Sequence, residues 1–220
     1  METFLPNAIP FWDELSEDEK QLILNNIQKR SYAANSVVHQ VGNDCVGMKI
    51  VKYGLIRVFA YTTNGTEVTL YRLKGKDICL LSILCKLKNL NLDINIEAEE
   101  ESFIYIIPFD IYNKLLSTNN AVYIYDKEST SERLTEVVSS LFDILFFSVG
   151  KRIIDNLIYY SDLYKSDTIS ITHEKLAKNI GTVREVVTRT LKNFQDLNLI
   201  EVSRGKIKIL DMYKLKNTII

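Results

Sequence analysis

The sequence predicts an α+β fold in three parts. These are a strand-rich N-terminal body, a long helix with an apolar stripe, and a small basic unit holding a helix-turn-helix and a terminal hairpin. Three observations predict it. Short β-branched and aromatic runs alternate with turn residues between 31 and 108. Leu134, Val138, Leu141 and Leu145 recur at spacings of four, three and four. Residues 166–220 carry ten Lys/Arg against six Asp/Glu, a net of +4, which leaves −5 for the remainder of a chain whose overall charge is −1. A mildly basic tail on an acidic body points to two modules facing different partners. The expected boundaries are 1–127 for the body, 128–160 for the long helix and linker, and 161–220 for the basic unit.

The first thirty residues predict one helix. Ser16 can accept the amide of the first turn and Glu19 stands three residues on, the reciprocal capping pattern. Leu22, Leu24 and Ile27 are the candidates for its inner side. The strand candidates are 37–38, 48–51, 56–61, 67–71 and 103–107, with turn signals at 42–44, 53–54, 63–65 and 74–76. Asn64 and Gly65 suit a tight hairpin because both tolerate positive φ. Many short strands with regular turns imply an antiparallel barrel or jelly roll with small helices sealing its ends. Residues 85–95 (CKLKNLNLDIN) read as an edge strand or strand-loop-strand. The acidic run at Glu97 and 99–101 reads as solvated surface that discourages edge pairing.

A long helix is expected within 129–160, where Val137, Ile144 and Phe147 widen the apolar face. A helix of about 30 residues spans about 45 Å, too far to bury against one small barrel. Leu134, Val138, Leu141 and Leu145 are therefore expected at a dimer seam, with packing inside one chain as the alternative. Beyond 161, Thr172 is expected to cap a helix over 173–179 and Gly181 to break it. A second helix then begins beyond Thr182 and carries Val186, Val187, Leu191, Phe194 and Leu197 at helical spacing. Residues 200–210, with Arg204 and Gly205 at their middle, read as a hairpin or wing.

Composition narrows the function. The chain has 220 residues, 46% hydrophobic and 25% charged, with 8 Gly and 3 Pro, as expected of an ordinary folded protein. Cys45, Cys79 and Cys85 form no close pair and no secretory leader precedes them, which fits reduced thiols and a cytoplasmic location. No apolar run reaches the length of a membrane span. The histidines are His39 and His173, with no local metal-ligand cluster around them. Hydrolase, metalloprotease, phosphate-loop and dinucleotide motifs are absent from the sequence. The expectation is no catalytic residue, no metal and no cofactor. A small-barrel enzyme stays as the cross-class alternative, with Glu67, Asp77 and Asp93 as its only candidate carboxylates.

The helix beyond Gly181 carries the chemistry of a DNA reader. Arg184 and Glu185 lie in its first turn and Arg189 one turn further on, positions from which an inserted helix meets base edges. Arg184 or Arg189 can donate two bonds to guanine O6 and N7, and Glu185 can accept from cytosine N4. Thr182, Thr188 and Lys192 are the further DNA-binding candidates, with phosphate contact as the role open to Thr188, Arg189 and Lys192. Thr182 and Glu185 also fit a capping box, which would turn the carboxylate back toward the helix start. Surface ion pairs are the competing role for Arg184 and Arg189.

The segment GTVREVVTRTLKNF, followed by LNLIEVSRGKIKI, closely resembles the winged helix-turn-helix of CRP/FNR-type transcription regulators. The resemblance covers nearly the whole chain. It implies a cyclic-nucleotide-binding-like β-roll, a long dimerisation helix and a C-terminal winged helix-turn-helix. It also implies a homodimer on double-stranded promoter DNA, contact with RNA polymerase and, commonly, transcriptional activation. The family's base-reading arginine, glutamate and second arginine correspond to Arg184, Glu185 and Arg189, while Val183 replaces its usual serine. Gly42, Gly54, Arg57, Gly65, Glu67 and Gly75 occupy turn and strand positions similar to those of the family's β-roll.

One departure bears on what the β-roll senses. The family's phosphate-binding cassette pairs glycine-glutamate with a later arginine and serine or threonine, but the corresponding positions here are Cys79-Leu80 and Leu92-Asp93. Leu80 cannot accept from a ribose hydroxyl, Leu92 cannot pair with phosphate, and Asp93 repels it. Cyclic nucleotides are therefore not the expected ligand. An iron-sulfur cluster lacks its cysteines, and haem would have only Cys79 or His39 as an axial ligand. Cys79 is the sensor candidate, against the plainer role of a small buried apolar residue. Two expectations stay open: an unidentified small-molecule or redox effector acts on the β-roll, or the β-roll is a scaffold for a constitutive regulator.

Overall fold

A computed structural model describes residues 3–40, 47–61, 65–79 and 94–218. The chain divides into two compact units, Met1–Ala60 with Leu70–Val137, and Tyr61–Thr69 with Val138–Ile220. The α+β architecture is as expected: an N-terminal sheet domain, long helices and a C-terminal helix-turn-helix.

The first unit begins with α1 (Leu5–Ala8), a single 3-10 turn (Trp12–Glu14) and α2 (Glu17–Asn26). Ser16 starts α2 as the sequence requires. Its hydroxyl accepts from the Glu19 amide at 3.3 Å while its own amide donates to the Glu19 carboxylate at 2.8 Å. The residue of α2 that is fully buried is Ile23, whereas Leu24 and Ile27 are only partly covered. Strands β1 (Gln28–Tyr32), β2 (Ser36–His39), β3 (Gly47–Tyr53), β4 (Ile56–Tyr61), β5 (Glu67–Leu73), β6 (Ile78–Cys79), β7 (Ile94–Ala98) and β8 (Ser102–Pro108) follow. They form two four-stranded sheets ordered β1-β8-β3-β6 and β2-β7-β4-β5. Gly54 makes the β3–β4 turn at φ 96°, and a Cβ there would sit 2.1 Å from the Ser102 hydroxyl, so only glycine fits.

Alternation along the first sheet directs Met48, Ile50, Ile78, Tyr105 and Ile107 into a core shared with the helical segments, including Leu5, Trp12 and Ile23. Each such aliphatic side chain, fully buried, contributes about 1.5–3 kcal/mol. Helix α3 (Phe109–Thr118) adds Tyr112 and Leu115 to that core. The Tyr112 hydroxyl donates to the Asp126 carboxylate at 3.1 Å; burial first, and this neighbouring charge second, raise the phenol far above its usual range.

The acidic run departs from its expected role. Glu99 is 5% exposed and accepts from Arg72 Nε and Nη2 at 3.1 and 3.3 Å, and Glu97 accepts from Arg57 at 2.8 Å. Arg57 and Glu97 are cross-strand partners of β4 and β7, so the sheet register itself places the pair. Glu101 remains exposed. Most of 85–95, with Leu80, Leu92, Asp93, Gly42 and Asn64, lies outside the described residues.

The long helix also differs from expectation. Helix α4 spans Asn120–Phe146, beginning nine residues before 129, and a separate helix, α5, spans Val149–Tyr164. Ser148 divides them by accepting the Lys151 amide on its hydroxyl at 3.1 Å. The described second unit continues with β9 (Thr168–Ile169), α6 (His173–Ile180), α7 (Arg184–Asp196), β10 (Ile200–Ser203), β11 (Lys206–Ile209) and α8 (Met212–Asn217). Strands β10 and β11 pair antiparallel, and β9 adds to the free edge of β11. No helix among the described residues is long and apolar enough to cross a membrane.

Candidate nucleic-acid interface

Helix α6 starts where Thr172 accepts the Lys175 amide at 3.1 Å and ends at Gly181, whose φ of 68° gives the left-handed cap that a β-carbon disfavours. The same end is held from α5, because an Arg152 guanidinium N–H donates to the Ile180 carbonyl. Buried Asn179 donates to Asn156 and to the Tyr160 hydroxyl, both at 3.1 Å, locking α6 onto α5. The turn is thus fixed from two sides before α7 begins.

The N-cap of α7 is Val183, which offers no side-chain bond, and the Thr182 amide is committed to the Ala177 carbonyl at 3.0 Å. The Thr182–Glu185 capping box is therefore not formed: Thr182 completes the end of α6 instead of starting α7. Val187, Leu191 and Phe194, each 1% exposed or less, form the inner stripe of α7. Arg184, Glu185, Thr188, Arg189 and Lys192 all lie exposed on the other side, with Thr182 half-buried just before the helix. Arg184, Glu185, Arg189 and Lys192 have no ion pair among the described residues, so the competing surface ion pairs for the two arginines are not made.

Thr188 is less free. Its hydroxyl donates to the Arg184 carbonyl at 2.9 Å and lies 2.9 Å from His173 Nδ1. With the hydroxyl proton committed, the hydrogen-bond pattern assigns the ring proton to Nδ1, which donates to Thr188. Burial, and then the Arg184 guanidinium, hold His173 below the usual imidazole range. The neutral ring links the first turn of α6 to the exposed face of α7. This contact spans fifteen residues, and no local pattern announces it.

Sequence reasoning also passed over the hairpin's own charges. Ile207 and Ile209 point inward from β11, so Lys206 and Lys208 alternate outward, and Arg204 stands exposed at the turn where Gly205 takes φ 72°. The signal was present in the KIKI alternation. In the long helix, Leu134, Val138, Leu141 and Leu145 are 49, 40, 47 and 75% exposed in the single chain, and Phe142 and Phe146 stack at 5.2 Å beside them. Cys79 is buried in β6 and hydrogen-bonded with the Tyr71 hydroxyl. Among the described residues no group of His, Cys, Asp and Glu is gathered to hold a metal ion.

This arrangement has counterparts in known proteins. Residues 151–218 match the model of a Crp-like helix-turn-helix domain. The chain is similar to a solved transcriptional regulator of the CRP/FNR family from Eubacterium rectale, at 33% identity and a TM-score of 0.89, covering 96% of this chain and all of that one. The anaerobic regulatory protein of Bacillus subtilis is 24% identical over 203 residues, 89% of this chain and 85% of the relative. A c-di-GMP responsive global regulator from Xanthomonas campestris shares the fold at 16% identity and a TM-score of 0.73, over 89% of this chain and all of its own.

Proposed function

Because the chain belongs to the CRP/FNR family of transcription regulators, we propose that it binds promoter DNA as a homodimer, with α7 of each copy entering a major groove. The single observation that carries the reading is the face of α7. Arg184, Glu185 and Arg189 are exposed there with no ion pair among the described residues, opposite a stripe that fastens the helix to its own unit. A helix held on one side and bearing two guanidiniums and a carboxylate on the other can read guanine and cytosine edges. Thr182, Thr188, Lys192 and the wing residues Arg204, Lys206 and Lys208 supply phosphate contacts, which position the helix and make affinity fall with salt. Leu134, Val138, Leu141 and Leu145 form the seam between copies, since four large apolar side chains on one helix are a costly surface to leave in water. The β-roll senses a small-molecule or redox signal and acts on the reader helices, and RNA polymerase is the partner through which the DNA-bound dimer affects transcription.

The test is a titration of the full-length protein on a duplex selected for tight binding and on random duplex. Arg184→Ala is expected to weaken the selected duplex by about 1–3 kcal/mol, or about 5- to 150-fold, with a much smaller loss on random DNA. Equal losses on both would assign Arg184 to phosphate and remove it from base reading.

A further inference from the structure

Among the described residues, the exposed side chains of α7 are hydrogen-bonded from outside the helix at a single point, His173. Its Nδ1 donates to the Thr188 hydroxyl at 2.9 Å, and that hydroxyl donates on to the Arg184 carbonyl, also at 2.9 Å. A donor on one side and an acceptor on the other fix the Thr188 rotor. The ring is carried by the first turn of α6, whose inner residues Leu176, Ala177 and Ile180 are buried, so it stands on an element anchored in the core of the same unit.

The ring has a second nitrogen. With the proton on Nδ1, Nε2 is a bare acceptor and makes no hydrogen bond among the described residues. A proton added there leaves the bond to Thr188 intact. Partial burial and the Arg184 charge oppose it in the free protein. Other charges stand around α6. Arg152 of α5 is spent on the Ile180 carbonyl at the far end of the helix, Glu67 of β5 lies 3.1 Å from Lys178, and Glu174 and Lys175 follow His173 on α6 itself. Among all of them it is the Arg184 charge that acts on the ring. A duplex reverses that balance, because it brings one negative charge per about 1.7 Å of its axis to the surface from which Arg184 projects.

We propose that His173 is a positioning residue of the DNA reader and that its Nε2 takes up a proton when the duplex is bound, so that binding tightens as the pH falls. This rests on the reading of α7 as the helix that enters the groove. The neutral ring orients Thr188 in the free protein. The imidazolium keeps that bond and adds a positive charge beside Arg184 once phosphates are there to offset it. The sign follows from the two states. A group whose pKa is higher in the complex than in the free protein tightens binding on acidification, from the value in the complex down to the free value, which for His173 lies below the usual imidazole range. One linked proton per reader helix changes affinity by at most about tenfold per pH unit.

The experiment is a titration of the full-length protein on a duplex selected for tight binding, at pH 7.5 and pH 6.0 and fixed ionic strength. Wild type, His173→Ala, His173→Gln and His39→Gln are compared, and proton uptake is read by calorimetry in two buffers of different ionisation enthalpy. Wild type should bind at least about threefold tighter at the lower pH, with net proton uptake. His173→Ala, which drops the bond to Thr188, should bind at least about twofold more weakly at pH 7.5. His173→Gln keeps an N–H for Thr188 but cannot titrate, so it should recover most of that loss and show no gain on acidification. His39→Gln, which alters the histidine of the strand unit, should keep the wild-type profile. A flat wild-type profile, an acid gain that survives in His173→Gln, or one that disappears in His39→Gln would overturn the proton linkage. A His173→Ala protein equal to wild type at pH 7.5 would overturn the positioning role. No binding by well-folded protein at either pH overturns the DNA-reader reading and this inference with it, whereas tight binding with a flat profile overturns this inference alone.

Discussion

Two arginines of the strand unit, Arg57 and Arg72, and the two of α7, Arg184 and Arg189, are used in opposite ways. Arg72 sits at 10% side-chain exposure against a carboxylate at 1%, and Arg57 is 2% exposed with its guanidinium 4.4 Å from the Phe59 ring centre and a carboxylate at 2.8 Å. Arg184 and Arg189 are exposed and have no carboxylate partner among the described residues. Burial makes an unmatched charge expensive, so the interior supplies its own counter-ions; exposure makes it cheap, so the surface can hold charge for a partner. The same residue type is therefore architectural where it is buried and, in the function proposed above, is left for recognition where it is exposed. Lys49, 3% exposed with no hydrogen bond on its Nζ, is the exception in the interior among the described residues.

The largest effect expected from this contrast is on stability. Arg72→Ala takes two charge-assisted hydrogen bonds from the buried Glu99 carboxylate and should cost about 3–5 kcal/mol in chemical denaturation, while Arg189→Ala should stay within about 0.5 kcal/mol. A stable Arg72→Ala protein would erase the distinction. A smaller effect tests how the reader helix is presented. Gly181→Ala puts a β-carbon at φ 68° and should destabilise the second unit by about 1 kcal/mol, seen as faster amide exchange over α6 and α7. Exchange unchanged there would mean that the turn is not under conformational constraint.

Much of this was legible in the sequence where the cause is local. The Ser16–Glu19 box and the Val187, Leu191 and Phe194 stripe follow from spacing alone, and both form. The break between α4 and α5 was not legible, because the apolar run around Phe142 and Phe146 continues up to Ser148 and masks a single capping hydroxyl. Glu99 looked solvated because its arginine is 27 residues away, and the His173–Thr188 contact is equally non-local. Thr182 and Glu185 show the converse error. Their spacing satisfies a local rule, but the Thr182 amide is already used to end the preceding helix.

The smallest expected effect is on pH dependence, and it sharpens the comparison from the side of the histidines. His173 titrates below its ordinary value when folded, so unfolded chains take up the proton first as the pH drops through about 6.5. Stability of the second unit should be full above that point and decline from it down to the lower folded value. His39 contributes a decline of the same sign in the strand unit. Amide exchange over 173–196 at pH 7.5 and 5.5 reads the reader's share, which His173→Gln should flatten. A wild-type unit that gains protection on acidification would contradict the sign.

The central claim is that two copies present α7 to one duplex. Selection of bound sequences from a random duplex pool by the full-length protein, followed by sequencing, tests it most directly. The account predicts two inverted half-sites separated by a whole number of helical turns, about 34–36 Å for one turn, each containing a G·C pair whose enrichment Arg184→Ala abolishes. Enrichment of a lone half-site, or none from well-folded protein, would contradict it.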